Sequence, residues 1–212
     1  MRYIDFHTHH IPAAEDVVAV VDGRDTWGIH PWDSLSQPLQ GSGESGHLIV
    51  PPSFGGAGGG LLAIGECGLD ALKGPSLERQ EEVFVQQIRL SEQTGKPLVI
   101  HCVKAIDRLL RLRKELQPTQ PWMLHGFRGK PQQLQSLLDA GFFVGFGFRH
   151  NEESLRLCPL DRLLLETDDS EEQPIAQLYK DVARLRGLQV PKLVEMMHKN
   201  YLAFFRNEPL MT

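Results

Sequence analysis

Eight short apolar runs punctuate this chain, at residues 2–6, 17–21, 27–30, 61–66, 97–101, 122–125, 142–146 and 163–167. They are dense in Val, Ile, Leu and Phe rather than alternating with polar residues, as strands covered on both faces are. Helical segments with recognisable ends separate the later runs. Residues 76–94 precede Gly95, 104–116 form a charged segment, 131–140 precede Gly141, and Pro191 opens a last helix to about residue 205. Glycine suits the position just past a helix, and proline suits its first turn. Strands alternating with helices over short connections imply a parallel sheet. Eight such strands in succession predict an α/β fold of the (β/α)8, TIM-type barrel class. With no internal repeat and no linker, residues 1–212 are expected to form one domain.

The first 60 residues depart from an ideal barrel. Between Gln37 and Gly60 the chain carries Gly41, Gly43, Gly46, Gly55, Gly56, Gly58, Gly59 and Gly60, with Pro38, Pro51 and Pro52. A glycine costs a helix about 1 kcal/mol and a proline about 3 relative to alanine, so this stretch is expected to be a long loop. Three strands must then form with outer helices reduced or missing.

Bulk properties exclude some functions. No apolar run approaches the roughly 20 residues that span a bilayer, and the start MRYIDFHTHH lacks an apolar signal core. Cys67, Cys102 and Cys158 make an odd count without framework spacing, which suits a reducing cytoplasm. A net charge of −5 argues against passive nucleic-acid binding through a basic surface. It leaves nucleic acid open as a substrate wherever bound metals supply local positive charge. Neither a membrane nor an obligate protein partner is expected.

The chemistry gathers where the apolar runs end. The first is followed by His7 and His9, two apart and therefore on one face of a strand. Glu66, His101, His125 and Asp168 close or follow four later runs. In a barrel all of these ends meet at one mouth, where active sites lie. Four imidazoles and two carboxylates form a nitrogen–oxygen donor set suited to Zn, Mn, Fe or Mg. Six donors exceed one tetrahedral shell, so two divalent ions sharing a carboxylate are expected. Strand alternation also places Glu166 below Asp168, and Asp5 below the histidine pair. Each is expected to accept a hydrogen bond from a ligand imidazole or a neighbouring backbone N–H. The same alternation turns Cys67 and Cys102 away from the site.

The motifs that carry these residues resemble one family. They are D-x-H-x-H at 5–9, GIHPW at 28–32, AIGECGLD at 63–70, RQEEVFVQQ at 79–87, KPLVIH at 96–101, HGFRG at 125–129, LLLETD at 163–168 and Asn200. Together they are similar to the TatD-like metal-dependent deoxyribonucleases of the amidohydrolase superfamily, along 1–205. The resemblance implies a (β/α)8 barrel that hydrolyses DNA phosphodiesters, often from a 3′ end, with DNA bound transiently. It implies that His7, His9, Glu66, His101, His125 and Asp168 are the metal ligands, with two Zn, Mg or Mn ions. It implies Glu66 and Asp168 as the catalytic pair: Glu66 shared between the ions, and Asp168 accepting the proton of the attacking water. His30, Lys104 and Arg128 become the candidates for holding the phosphate.

Departures from the family pattern fall outside the ligand set. Ala71-Leu72-Lys73 stands where a Tyr-His pair usually follows GLD. Val103 and Lys104 replace an expected arginine after His101, and Asp169 replaces a proline after LETD. The segment between HTH and GIHP is shortened, and the glycine-rich stretch takes the place of a helix. Three functions remain open on the sequence: a DNase or other phosphodiesterase; a hydrolase of a small amide, lactone or phosphomonoester; and a non-catalytic metal-stabilised protein. Many superfamily relatives use a carboxylated lysine between their metals. No lysine ends a strand here and Glu66 takes that place, which favours the phosphodiesterase.

Overall fold

The computed structural model describes residues 2–34, 61–170 and 173–206. The loop expected over 37–60 lies outside the described residues. Eight strands follow in order: β1 (Tyr3–Thr8), β2 (Val17–Val21), β3 (Thr26–Trp27), β4 (Ala63–Asp70), β5 (Leu98–Val103), β6 (Trp122–Leu124), β7 (Phe143–Phe146) and β8 (Leu163–Leu165). The α-helices are α1 (Leu77–Thr94), α2 (Ile106–Leu116), α3 (Pro131–Asp139), α4 (Glu152–Leu157), α5 (Ile175–Arg186) and α6 (Val190–Phe204). Before β4 the described residues hold a 3-10 turn at Pro31–Asp33 and no α-helix.

All strand pairing is parallel, in the order β3-β4-β5-β6-β7-β8 and, separately, β1-β2. The two sheets meet at a parallel bridge between Thr8 and Asp168. There the Asp168 N–H donates to the His7 carbonyl at 3.0 Å and the His9 N–H to the Asp168 carbonyl at 3.1 Å. First and last strands are thus neighbours, as barrel closure requires. No ladder joins β2 to β3 among the described residues; residues 22–25 turn the chain there, and the Leu62 N–H reaches the Asp25 carbonyl at 2.8 Å.

The helices begin and end where local chemistry dictates. The Ser76 side chain accepts from the Arg79 N–H to start α1, and Gly95 ends it in the left-handed conformation. The reading from sequence omitted α4 and α5. The first of these is six residues long and capped by Asn151, too short to show a period. Strand and helix residues share one hydrophobic core, including Phe6, Ile64, Phe84, Leu98, Trp122, Phe146 and Leu178. Among the described residues no helix is long and apolar enough to cross a membrane.

Candidate metal centre

The six candidate ligands at the mouth of the barrel come from five strands. His7 lies inside β1 and is fully buried, His9 follows that strand, His101 lies within β5, and His125 and Asp168 follow β6 and β8. Glu66 is not at a strand end: β4 runs on to Asp70, with every residue buried. The polar Glu66 ended the apolar run early, yet the backbone stays paired with β5 after a register shift between Ile64 and Cys67. Gly68 permits this. Its φ is +130°, and a Cβ there would collide with the His101 carbonyl oxygen, so no side chain could be accommodated.

Glu66 is the hub. Its Oε1 lies 2.8 Å from His125 Nε2, 2.9 Å from His101 Nδ1 and 3.2 Å from His30 Nε2. Its Oε2 lies 3.5 Å from His7 Nε2 and 3.6 Å from His9 Nε2. Asp168 Oδ1 faces the same two imidazoles, at 3.8 Å from His7 and 3.6 Å from His9. One carboxylate therefore serves two groups of nitrogens. Three clusters of candidate ligands overlap: His7, His9 and Glu66; His7, His125 and Asp168; and His30, Glu66 and His101.

Charge is strongly coupled across this cluster. Burial pushes the Glu66 carboxyl up, but His125, His101 and His30 outweigh it and hold the group far below the usual carboxylate range. Burial likewise raises Asp168, and His9, His125 and His7 more than reverse the effect. The neighbouring Asp168 carboxylate lifts His9 to about 9, with burial opposing. At His101 burial favours the neutral ring, yet Glu66 and Asp70 raise it overall. Such mutual dependence means that removing either carboxylate would leave several imidazoles without counter-charge.

The donors fit a metal. His7 Nε2 and Nδ1 and His125 Nδ1 are buried and make no hydrogen bond, a costly state unless something else satisfies the lone pair that faces the cluster. Donors about 2.1 Å from a tetrahedral ion stand about 3.4 Å from one another. The separations of 3.5, 3.6, 3.6 and 3.8 Å around His7 and His9 are of that size and too long for hydrogen bonds.

The remaining sequence candidates separate. His30 joins the cluster through Glu66 and belongs to a possible ligand group, closer to the donors than a phosphate contact on a loop would be. Lys104 is exposed just past β5, with φ +54°. Arg128 is exposed in the loop after β6 and lines a cleft that includes Asp168. Asp5 accepts from the Thr167 N–H at 3.0 Å and its hydroxyl at 2.7 Å; burial raises it to about 6. Glu166 accepts from the Gly126 N–H, and burial raises it to about 8. Neither acid makes an ion pair with Lys or Arg among the described residues. Cys67 is buried in the core, its thiol 3.4 Å from the Val99 carbonyl.

Two acids went unnoticed in the sequence. Asp22, in the turn after β2, accepts from the Thr26 hydroxyl at 2.6 Å and the Glu66 N–H at 3.2 Å, and lies 3.8 Å from His9 Nδ1. Asp70 holds His101 Nε2 at 3.0 Å and accepts from the Trp32 indole at 2.7 Å. Spacing of four after Glu66, on the same strand, was the available signal for Asp70; nothing local marked Asp22. Several motif residues act as braces. Buried Gln80 bonds the backbone of Asp70, Lys73 and Pro75, and Gln87 grips both backbone groups of Ile29 beside His30. Asn200 ties the carbonyls of Leu160 and Leu163.

Comparison with known proteins agrees with this architecture. The chain is 32% identical over 167 residues to the Escherichia coli K12 protein described as uncharacterized metal-dependent hydrolase YcfH, covering 69% of this chain and 63% of that one. It is 35% identical over 153 residues to the 3′-5′ ssDNA/RNA exonuclease TatD of Klebsiella pneumoniae, covering 68% of this chain and 56% of that one. The chain thus spans less than two thirds of the length of these curated relatives. Among solved structures, YJJV, a TatD homologue from Escherichia coli K12, superposes with a TM-score of 0.67 at 22% identity. That match covers 93% of this chain and 79% of the other, and identifies the fold as the barrel of that protein. The sequence profile described as TatD related DNase matches residues 7–206. The chain belongs to the TatD-related DNase family.

Proposed function

We propose that this chain is a divalent-metal-dependent phosphodiesterase that hydrolyses DNA, with His7, His9, Glu66, His101, His125 and Asp168 as its metal ligands. The observation that carries the proposal is the division of Glu66: one carboxylate oxygen faces His7 and His9, the other His101 and His125. That is the arrangement expected of a carboxylate shared between two ions. Bound ions would supply Lewis acidity at the phosphoryl oxygen and lower the pKa of the attacking water. Asp168, opposite His7 and His9, takes the proton from that water as its oxygen attacks phosphorus. It returns the proton to the leaving sugar oxygen as the phosphorus–oxygen bond breaks. Asp70 orients His101 by a hydrogen bond, and Asp22 places its carboxylate 3.8 Å from His9. The exonuclease activity in the name of the Klebsiella relative supports nucleic acid as the substrate class.

The test is purification without chelator, metal analysis, and assay on single-stranded DNA and an aryl phosphodiester. Hydrolysis that requires Zn, Mg or Mn, stops with chelator and is nearly abolished by Asp168→Ala is expected. Full activity in a correctly folded Asp168→Ala protein would refute the assigned proton path.

A further inference from the structure

Asp70 Oδ2 meets two donors, His101 Nε2 at 3.0 Å and the Trp32 indole N–H at 2.7 Å. Its other oxygen, Oδ1, accepts the backbone N–H groups of Leu72 at 2.8 Å and Lys73 at 3.1 Å. Four donors on two oxygens leave this buried carboxylate little freedom to rotate. The hydrogen bond at one ring nitrogen of a histidine decides which nitrogen is left to bind a metal. Held by Asp70 at Nε2, a neutral His101 presents the lone pair of Nδ1, which lies 2.9 Å from Glu66 Oε1.

Trp32 is itself fixed in place. It sits in the 3-10 turn Pro31–Asp33, and its backbone N–H donates to His30 Nδ1 at 3.3 Å. Arg79 Nε donates to the Ser34 carbonyl at 3.0 Å, and the Ser34 hydroxyl to the Pro31 carbonyl at 2.9 Å, bracing the same turn. The Trp32 ring stands edge-on to His30, with centroids 4.4 Å apart, and Lys73 Nζ lies 4.1 Å from its centroid. Yet Trp32 remains 43% exposed, so its N–H, rather than burial of its ring, is what ties it to the centre. We propose that Trp32 is a positioning residue: its indole N–H, acting through Asp70, holds His101 so that Nδ1 faces the ion shared with His125 and Glu66. This role rests on the metal-ligand reading above.

The test is calorimetric titration of Zn into the full chain freed of metal. The wild type should take up two ions. Trp32→Phe keeps an aromatic ring at the rim but has no N–H. It should weaken one ion about tenfold, the low end of what losing a group around a ligating imidazole costs, and leave the other unchanged. Trp32→Ala should do no more than Trp32→Phe, and Lys73→Gln, which frees the ring face, should bind both ions as the wild type does. In an Asp70→Ala background, adding Trp32→Phe should cost nothing further, because the N–H has lost its acceptor. That comparison reads the coupling even where the single variants are less stable. Wild-type affinity for both ions in Trp32→Phe would overturn the proposal, as would an equal loss at both ions. So would a loss in Trp32→Ala or Lys73→Gln that Trp32→Phe does not share, or a further tenfold loss in the Asp70→Ala background. No ion bound by the wild type would defeat the metal-ligand reading as well; two ions bound, with Trp32→Phe unaffected, would defeat this role alone.

Discussion

Asp22 offers a sharp test of how the centre is held. Its Oδ1 accepts from the Thr26 hydroxyl and the Glu66 N–H, while Oδ2 faces His9 Nδ1. It therefore joins the turn after β2 to both β3 and β4, across the seam that no ladder closes among the described residues. Asp22→Ala removes an ionised acceptor from two donors and leaves the Glu66 N–H and the buried Thr26 hydroxyl unpaired. Each such loss costs about 1–3 kcal/mol, so about 2–6 kcal/mol of stability should go. Asp22→Asn keeps an oxygen at Oδ1 and should lose less than about 1 kcal/mol. It loses the negative charge 3.8 Å from His9 Nδ1, and metal affinity should fall by roughly 10-fold, the low end of what losing a hydrogen-bonded partner of a ligating imidazole costs. Denaturant unfolding of the metal-free proteins measures the first effect; calorimetric metal titration measures the second. Wild-type metal affinity in Asp22→Asn would refute the orienting role. Unchanged stability in Asp22→Ala would refute the seam argument.

Gln80→Ala should lower stability by about 2–4 kcal/mol, because the backbone groups of Asp70, Lys73 and Pro75 lose their buried partner; chemical denaturation reads this directly. Gly145→Ala should cost about 1–3 kcal/mol by overpacking, since its Cβ would meet Glu166 Oε2 at 2.5 Å and Met123 Cε at 2.6 Å. A fully stable Gly145→Ala protein would mean that Glu166 moves freely. Saturating metal at about 100 times its Kd should stabilise the fold by about 2.7 kcal/mol, raising the melting temperature, and chelator should reverse the rise.

What the sequence revealed, and what it hid, follows physical lines. His7, His9, His101, His125 and Asp168 were legible because each interrupts or follows an apolar strand, and a parallel barrel carries all such positions to one mouth. Glu66 was found for the same reason but misplaced along its strand. Glycine and buried acid broke the apolar signal while the ladder to β5 continued to Asp70. His30 sat in a recognisable motif, yet only the fold shows its Nε2 3.2 Å from Glu66. Asp22 meets Glu66 across 44 positions of sequence, a separation that no local pattern encodes. α1, α3 and α6 were readable from their glycine or proline ends; the six-residue α4 was not, and α5 was passed over although Pro174 and Gly187 bound it.

The most direct test of the central claim is anomalous diffraction at the metal edge from crystals grown with Zn or Mn. Two peaks are expected, one among His7, His9 and Asp168 and one between His101 and His125, with Glu66 touching both. For Zn, nitrogen and oxygen donors should lie at about 2.0–2.2 Å. Ordered metal bound elsewhere on the protein, with no density among these six side chains, would contradict the account.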